Sequence, residues 1–234
     1  MRITKNAKII KMTVMKDIIV IGSSGHAKVV VDVLETEGIY RVAGLIDPYR
    51  KRGERAFGHE IRGSVEDVGE LCKRHGIGYV FIAIGDNWVR HNMYQKIVST
   101  CPGIVFATAV HPSAIIAKKV VIGNGSVVMA GVVVNNYTRI GAFCIINTSA
   151  SIDHDCYLED YSSVAPSVCL GGNVRIGKYS AVSIGAVVSH RVEIGQHTVV
   201  GAGSTVLADI PDQVLAYGTP ARIIRKRKIG EEYL

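Results

Sequence analysis

The sequence has few aromatic residues, and they do not alternate with its basic residues. Phe, Trp and Tyr together make up 6% of the 234 residues. Proteins that bind single-stranded nucleic acid stack bases on aromatic side chains set among basic ones, so no nucleic-acid partner is expected. The net charge of +7 indicates either solvated, charged termini or attraction to a smaller anionic ligand.

Paired cysteines and long apolar runs are also missing. The five cysteines are odd in number and include no Cys-x-x-Cys pair, which argues against a disulfide framework. No secretory signal is evident, and the early apolar stretch at residues 9–22 is interrupted by lysines and too short to cross a bilayer. These features predict a cytoplasmic protein with free thiols and no membrane partner. Because the stretch from Met15 also resembles a natural start, residues 1–14 are expected to be a tail outside the fold.

The first part of the chain alternates apolar strands with segments of helical spacing. Such alternation predicts a small parallel sheet with helices on its faces, an α/β Rossmann-like domain over residues 15–107. The predicted strands are residues 17–22, 41–47 and 79–85, and the predicted helices are residues 23–38, 64–76 and 87–99.

Beyond residue 110 an aliphatic residue recurs at every sixth position. The series runs from Ile116 to Val206, sixteen positions without a gap, and a small or β-branched residue usually follows four places later. A period of six matches neither a helix nor an amphipathic strand, and it is typical of hexapeptide-repeat β-helices. Each hexad forms one flat side of a coil, and stacked coils lie about 4.8 Å apart. We therefore predict a parallel β-helix over residues 108–212, with Cys144 and Cys156 as core residues, followed by a C-terminal segment, 213–234.

Four motifs make the combination more specific: GSSGH at residues 22–26, AIGDN at 83–87, NTSASIDHD at 147–155 and YGTPAR at 217–222. Together with the hexads they resemble the sugar O-/N-acyltransferases of the sialic acid O-acetyltransferase and bacillosamine N-acetyltransferase type. The resemblance implies a left-handed β-helix with about three hexads per coil. It also implies a homotrimer with active sites between subunits, acetyl-CoA as co-substrate and no metal.

The resemblance assigns the catalytic chemistry to three residues. His154 matches the family's general base, and it lies two places after the inward-facing Ile152, so its side chain should point outward. An imidazole suits this role because its ordinary pKa is near neutral pH. Asp155 matches the acidic neighbour that orients the ring, and the backbone N–H of Gly172 matches the group that contacts the acetyl carbonyl. The alternative for His154 is an exposed histidine on a structural coil.

Acetyl-CoA is expected to lie along a cleft between two β-helices. Many relatives carry a second histidine near the acetyl group, nine residues after the base, where this chain has Ser163; a hydroxyl or a water could supply the same hydrogen bond. The basic run from Arg222 to Lys228 is an expected partner for the CoA phosphates, although a solvated tail is the alternative after Arg225. By resemblance the cofactor-binding residues are Ser163, Ile184, Ala202, Pro220 and Arg222.

The GSSGH motif follows a strand and opens a helix, where backbone N–H groups form an anion site. Because it is not the GxGxxG fingerprint, a redox dinucleotide is not indicated. The resemblance predicts a nucleotide-sugar pocket at the carboxyl ends of the strands, while turn chemistry and helix capping are the alternative. The predicted substrate-binding residues are Ser24, Gly25, His26, Asp47, Gly85, Asp86, Asn87 and Arg90.

The leading functional hypothesis is acetyl transfer from acetyl-CoA to the 4-amino group of a nucleotide-linked 4-amino-4,6-dideoxy sugar. UDP is the preferred carrier, with GDP and dTDP open. O-acetylation of sialic acid or a related sugar is the alternative within the family. Outside it remain a zinc-dependent carbonic-anhydrase-like β-helix using His154, His190 and His197, and a scaffold without catalytic activity.

Overall fold

The computed structural model describes residues 15–233, and the tail predicted for residues 1–14 lies outside that range. The first part of the chain is an α/β unit in which strands and helices alternate, with a single 3-10 turn at Val65–Asp67. In chain order its elements are β1 (Lys16–Ile21), α1 (Gly25–Glu37), β2 (Tyr40–Ile46), β3 (Arg55–Ala56), β4 (His59–Gly63), α2 (Val68–His75), β5 (Tyr79–Ile82), α3 (Asn87–Thr100) and β6 (Val105–Phe106).

The sheet of this unit has the strand order β3-β4-β2-β1-β5-β6. All neighbours are parallel except the β3–β4 hairpin. β1 is central, and its residues Ile18–Ile21 are buried, as expected of a strand covered on both faces. Helix α1 ends at Gly38, whose φ of 72° places it in the left-handed region that favours glycine at a helix C-terminus. The predicted α/β architecture is confirmed.

The second part is built from two-residue strands separated by four-residue corners. These strands are β7 (Ala109–Val110), β8 (Ile115–Ile116), β9 (Val121–Ile122), β10 (Val127–Val128), β11 (Val133–Val134), β12 (Arg139–Ile140), β13 (Ile145–Ile146), β14 (Ser151–Ile152), β15 (Tyr157–Leu158), β16 (Ser163–Val164), β17 (Cys169–Leu170), β18 (Arg175–Ile176), β19 (Ala181–Val182), β20 (Val187–Val188), β21 (Glu193–Ile194), β22 (Val199–Val200) and β23 (Thr205–Val206).

Each strand from β7 to β20 pairs in parallel with the strand eighteen residues later, for example Ile152 with Leu170, so one coil contains three hexads. The strands form three flat faces: a first face that begins β7-β10-β13, a second face that begins β8-β11-β14 and a third face that begins β9-β12-β15. All sixteen predicted aliphatic positions are the second residue of a strand. From Val128 onward each is at most 2% exposed. The hexapeptide prediction is therefore confirmed, and burial of each such side chain contributes ~1.5–3 kcal/mol before chain entropy is subtracted.

A second inward column carries small polar side chains and the two predicted core cysteines. Cys144 and Cys156 are buried, and the hydroxyl of Ser126 donates to the Gly141 carbonyl while accepting from the Cys144 N–H. These bonds satisfy corner backbone groups that the short strands leave free.

An antiparallel hairpin of β24 (Val214–Gly218) and β25 (Ala221–Lys226) continues the first face, because β24 pairs with β22. It covers the last coil on that face.

Helix α3 joins the two parts through aromatic packing on the corner between the third and first faces. The corner residues lie one coil apart and have φ between 53° and 62°, so they turn in the left-handed region. Their rings stack in pairs with centroids 4.6–5.4 Å apart and meet rings from α3. We call this set the aromatic column; it consists of Phe143, Tyr161, Tyr179 and His197.

Candidate functional site

His154 lies on the corner between the second and third faces of the β-helix, directly after β14. Its side chain is 53% exposed, and its Nδ1 is 2.7 Å from a carboxylate oxygen of Asp155. Asp155 has a φ of 59°, a conformation that aspartate tolerates better than most residues. The tight turn brings the carboxylate back against the ring of its neighbour. With Nδ1–H donated to Asp155, Nε2 carries the free lone pair.

Asp153 supports the same corner from the other side. One of its carboxylate oxygens accepts the His154 backbone N–H at 2.8 Å and the Asn135 side-chain amide at 2.9 Å. Its other oxygen is 4.0 Å from the His154 Nε2. The hydrogen bond to Asp155, followed by the charge of Asp153, raises the pKa of His154 above its ordinary value of 6.5. The ring is therefore a stronger base than a free histidine.

Gly172 lies one coil beyond His154, beside its ring. A Cβ at this position would be 2.8 Å from Nε2, so only glycine allows this close approach. Within residues 15–233 the Gly172 N–H has no hydrogen-bond acceptor, whereas Asn173 donates to the His154 carbonyl. The corner thus combines a base with a free backbone donor beside it, as acyl transfer requires.

A cleft of about 460 Å³ separates the α/β unit from the first face of the β-helix. One wall comes from the start of α1 and from Gly85 after β5, and the other comes from outward residues of β13, β16 and β19 with their corners. Six of the predicted binding residues line it: Gly25, His26, Gly85, Ser163, Ile184 and Ala202.

The α1 side of the cleft has room for an anion. Ser24 precedes the helix with extended backbone and an exposed side chain, and a Cβ on Gly25 would meet nothing within 4 Å. His26 differs from its neighbours because its Nε2 is buried without a hydrogen-bond partner among residues 15–233. Burial, with a smaller effect of the Arg90 charge, lowers the pKa of His26 to about 4. Its imidazole is therefore neutral near pH 7.

Other predicted binding residues lie outside the cleft lining. Asp47 follows β2 and accepts hydrogen bonds from the Ser23 hydroxyl and the Tyr49 N–H. Asp86 caps α3 by accepting from the Trp88 and Val89 N–H groups. Pro220 and Arg222 are exposed on the β24–β25 hairpin.

Asn87 and Arg90, which are also predicted to bind substrate, are buried where the α/β unit meets the β-helix. Each is 1% exposed. The Arg90 guanidinium donates to the carbonyls of Ile84, Gly85 and Phe143 and to the Asn87 side-chain oxygen, at 2.6–2.9 Å. The Asn87 amide donates to the Ser180 carbonyl at 3.0 Å and to the Ser163 hydroxyl at 3.3 Å. With their polar groups bonded to protein, these two side chains hold the α/β unit to the β-helix.

His154 does not line the cleft, because its corner lies between the second and third faces and the cleft opens on the first. Within one copy of the chain, the predicted base therefore lies apart from the predicted binding residues that line the cleft.

Comparison with known proteins identifies relatives of both parts. The PglD N-terminal domain family matches residues 17–97. UDP-N-acetylbacillosamine N-acetyltransferase of Bacillus subtilis is 38% identical over 117 residues, which cover 50% of this chain. The match spans only about half, 52%, of that relative's length.

Two solved structures match over nearly the whole chain. One is a histidine-to-asparagine variant of perosamine N-acetyltransferase from Caulobacter crescentus, in complex with CoA and GDP-perosamine. It is 37% identical with a TM-score of 0.84, covering 90% of this chain and 97% of that one. The other is the acetyltransferase domain of PglB from Neisseria gonorrhoeae in complex with acetyl coenzyme A. It is 30% identical with a TM-score of 0.81, covering 90% of this chain and all of that one.

The chain belongs to the nucleotide-sugar N-acetyltransferase family. The resemblance drawn from the GSSGH, AIGDN, NTSASIDHD and YGTPAR motifs is thereby confirmed at the level of family and fold. The first of these two relatives holds CoA and the second holds acetyl-CoA.

Sequence reasoning missed Tyr233, which lines the cleft from the far end of the chain. No motif surrounds it, so only its contacts identify it.

The three histidines of the zinc hypothesis are divided between two corners of the β-helix. His154 and His190 share one corner, whereas His197 belongs to the aromatic column. Among residues 15–233 no group of three His, Cys, Asp or Glu side chains could hold a metal ion. Over the same range no helix is both long and apolar enough to cross a membrane.

Proposed function

We propose that the protein transfers the acetyl group of acetyl-CoA to the 4-amino group of a nucleotide-linked 4-amino-4,6-dideoxy sugar. His154 is the general base. The observation that carries this proposal is the exposed His154–Asp155 pair with Gly172 packed against the His154 ring. The names of the relatives support an amine acceptor and include both UDP and GDP carriers.

The reaction follows from this arrangement of groups. The sugar amine attacks the thioester carbonyl carbon, and Nε2 of His154 takes the proton that the nitrogen loses. Asp155 stabilises the resulting imidazolium, and the Gly172 N–H donates to the oxyanion of the tetrahedral intermediate. The C–S bond then breaks, and the imidazolium returns its proton to the departing thiolate. The products are the N-acetylated sugar and free CoA.

A place for each substrate is part of the proposal. The start of α1, with Ser24, Gly25 and His26, faces the phosphates of the nucleotide sugar. Ile184 and Ala202 supply apolar contact for the pantetheine arm, and the basic residues of the β24–β25 hairpin attract the CoA phosphates. Asp47 is proposed to contact the nucleoside at the end of β2.

A second copy of the chain completes the proposed site. His154 and the cleft lie on different parts of the β-helix surface, so a neighbour must bring its His154 corner to the first face of this copy. A closed ring of three subunits provides one such junction for each chain.

A thiol-release assay tests the proposal. Purified protein is mixed with acetyl-CoA and with UDP-, GDP- or dTDP-linked 4-amino-6-deoxy sugars, and free sialic acid is included as the O-acetylation control. We expect rapid CoA release with one amino sugar and its N-acetylated product by mass spectrometry. Release with sialic acid alone would reassign the acceptor to a hydroxyl. Failure of every acceptor in folded protein would contradict the proposal.

A further inference from the structure

The end of the chain crosses the junction between the α/β unit and the β-helix. We call residues 228–233 the C-terminal strap. The Glu231 carboxylate anchors it by accepting from the Arg225 side chain and from the Lys228 N–H at 3.0 Å, and Arg227 donates to the Glu231 carbonyl. The bond from Arg225 lowers the pKa of Glu231 to about 2. The anchor is therefore charged at any physiological pH.

The strap also packs on α3. A Cβ on Gly230 would be 2.7 Å from the Trp88 indole nitrogen, so the backbone lies directly against that ring. Glycine is required here for close approach and for its φ of 75°. The strap is thus a built part of the junction.

The strap delivers Tyr233 to the cleft. The Tyr233 hydroxyl is 3.3 Å from the Ser163 hydroxyl and 3.5 Å from the Gly85 carbonyl oxygen. Ser163 and Gly85 line the cleft from opposite walls, and Tyr233 lies between them. Burial raises the pKa of the Tyr233 phenol, which keeps it protonated.

The Tyr233 hydroxyl is only weakly bonded to protein. Arg90 donates to the Asn87 side-chain oxygen, which orients the Asn87 amide so that its NH₂ donates to Ser163. Between Ser163 and Tyr233 either hydroxyl can be the donor. Within residues 15–233 the two hydrogen-bond partners of the phenol, Ser163 at 3.3 Å and the Gly85 carbonyl at 3.5 Å, both lie beyond the ordinary O–H···O distance. An oxygen entering the cleft would offer Tyr233 a better acceptor.

A second polar atom beside the cleft is buried without a partner. Within residues 15–233 His26 Nε2 makes no hydrogen bond, although His26 lines the same cleft. An unpartnered buried polar atom is destabilising, and a ligand that supplies the missing partner removes that cost. The Tyr233 hydroxyl and His26 Nε2 thus both lack good hydrogen-bond partners. They make the end of the cleft beside the start of α1 its polar end.

We propose that Tyr233 is a substrate-positioning residue that donates a hydrogen bond to an oxygen of the nucleotide-linked sugar, and that the C-terminal strap forms a wall of the acceptor site. This inference rests on the proposed function, because it requires a nucleotide sugar in the cleft. The Arg90–Asn87–Ser163 chain holds the Ser163 hydroxyl beside the phenol. The buried residues that join the two parts of the molecule therefore also prepare the acceptor site.

The test compares Tyr233→Phe with Tyr157→Phe in the full-length protein. Tyr157 lies on the third face against Arg175, away from the cleft, and serves as the matched control. With the nucleotide sugar that the wild type accepts, we expect Tyr233→Phe to raise the KM for that sugar about tenfold, since one hydrogen bond is lost. The KM for acetyl-CoA should stay within about twofold of the wild type, and Tyr157→Phe should match the wild type in both.

An unchanged sugar KM in Tyr233→Phe would overturn the inference. So would an increase confined to the KM for acetyl-CoA, which would move Tyr233 to the donor site. Calorimetric titration with the same nucleotide sugar, without acetyl-CoA, gives the binding change directly and should show a similar loss of affinity.

Removal of residues 229–234 tests whether the C-terminal strap forms a wall of the acceptor site. We expect the truncated protein to lose at least as much sugar affinity as Tyr233→Phe. A lower sugar KM or faster turnover would show that the strap obstructs the cleft, which contradicts the inference. Glu231→Gln weakens the anchor of the strap but keeps the Tyr233 side chain. If the truncated protein fails to fold, this variant tests the position of the strap without the loss of Tyr233. Failure of the wild type with every nucleotide sugar would instead count against the proposed function.

Discussion

At the scale of single residues, the His154 corner shows how two short-range features build a reactive group. The left-handed turn at Asp155 directs a carboxylate to Nδ1, and the coil beyond provides Gly172 beside Nε2. The inward-facing Ile152 is buried and fixes the register, so the histidine must face outward. Within one hexad, Ile152 therefore packs in the core while His154, two places later, is exposed for its proposed role.

His154→Ala should lower kcat by about 10²–10⁴ while the KM values change little, because a general base acts mainly in the transition state. Folding should be retained, since the side chain is exposed. Steady-state kinetics with circular dichroism checks both statements. His190→Ala is the matched control, because His190 is exposed on the same corner two coils further on; it should keep wild-type turnover. A His154→Ala enzyme with near wild-type kcat would remove His154 from the mechanism.

Asp155→Asn should move the acidic limb of the kcat/KM profile to lower pH. The base must be neutral to accept a proton, so activity rises as pH passes through the His154 pKa. Asp155 raises that pKa, and its replacement should return the midpoint toward about 6.5. Above the midpoint kcat should also fall, because the neutral amide orients the ring less well. An unchanged midpoint would show that Asp155 does not control the base.

At the scale of elements, α3 joins the two parts of the molecule by two kinds of contact. Trp88 and His91 pack on the aromatic column, while Arg90 donates to carbonyls on both sides of the junction. The AIGDN motif and the arginine that follows were predicted from resemblance to bind substrate. In the structure the buried Arg90 stabilises the junction. Its several N–H groups donate to carbonyls that the turn after β5 and the corner at Phe143 leave without backbone partners.

Arg90→Met should destabilise the protein by ~2–4 kcal/mol, because each abandoned carbonyl costs about 1–3 kcal/mol and relief of the buried charge offsets part of the loss. Denaturant unfolding followed by the fluorescence of Trp88, the single tryptophan, reports on this junction. Arg139→Met is the control, since Arg139 is exposed on β12, and it should unfold at the wild-type midpoint. Equal stability of the two variants would contradict the structural role of Arg90.

At the scale of the whole molecule, the cleft and the His154 corner can form one proposed active site only if they come from two different subunits. The cleft is set by the junction of the α/β unit with the first face. The proposed base, His154, lies on a different edge of the β-helix. A geometry that separates the two within one chain favours an assembly in which each neighbour contributes one part.

Co-expression of His154→Ala with Gly25→Glu tests this assembly. The glutamate has open space but repels phosphate at the start of α1, so each variant alone should be nearly inactive. In a closed ring every mixed trimer has one junction of its three at which an intact cleft meets an intact His154. We expect activity near that fraction for tagged, co-purified mixtures. Complete inactivity of proven mixed trimers would place both parts of the site in one chain.

Local periodicity explains what the sequence by itself determined. The period of six specified the β-helix, its core positions and the outward direction of His154, because each hexad repeats one local geometry and stacks on its copy eighteen residues away. Strand–helix alternation specified the α/β unit in the same way. The family and the motif-bearing corner were also readable from residues close together in the chain.

Only the tertiary structure decided which polar residues are buried and which line the cleft. Arg90 meets a carbonyl 53 residues away, Asn87 meets Ser163 across 76, and Tyr233 meets Gly85 across 148. No local pattern specifies such pairs, because they depend on where the surface of the α/β unit meets that of the β-helix. The buried state of Asn87 and Arg90, the place of Tyr233 in the cleft and the separation of His154 from it all follow from that docking.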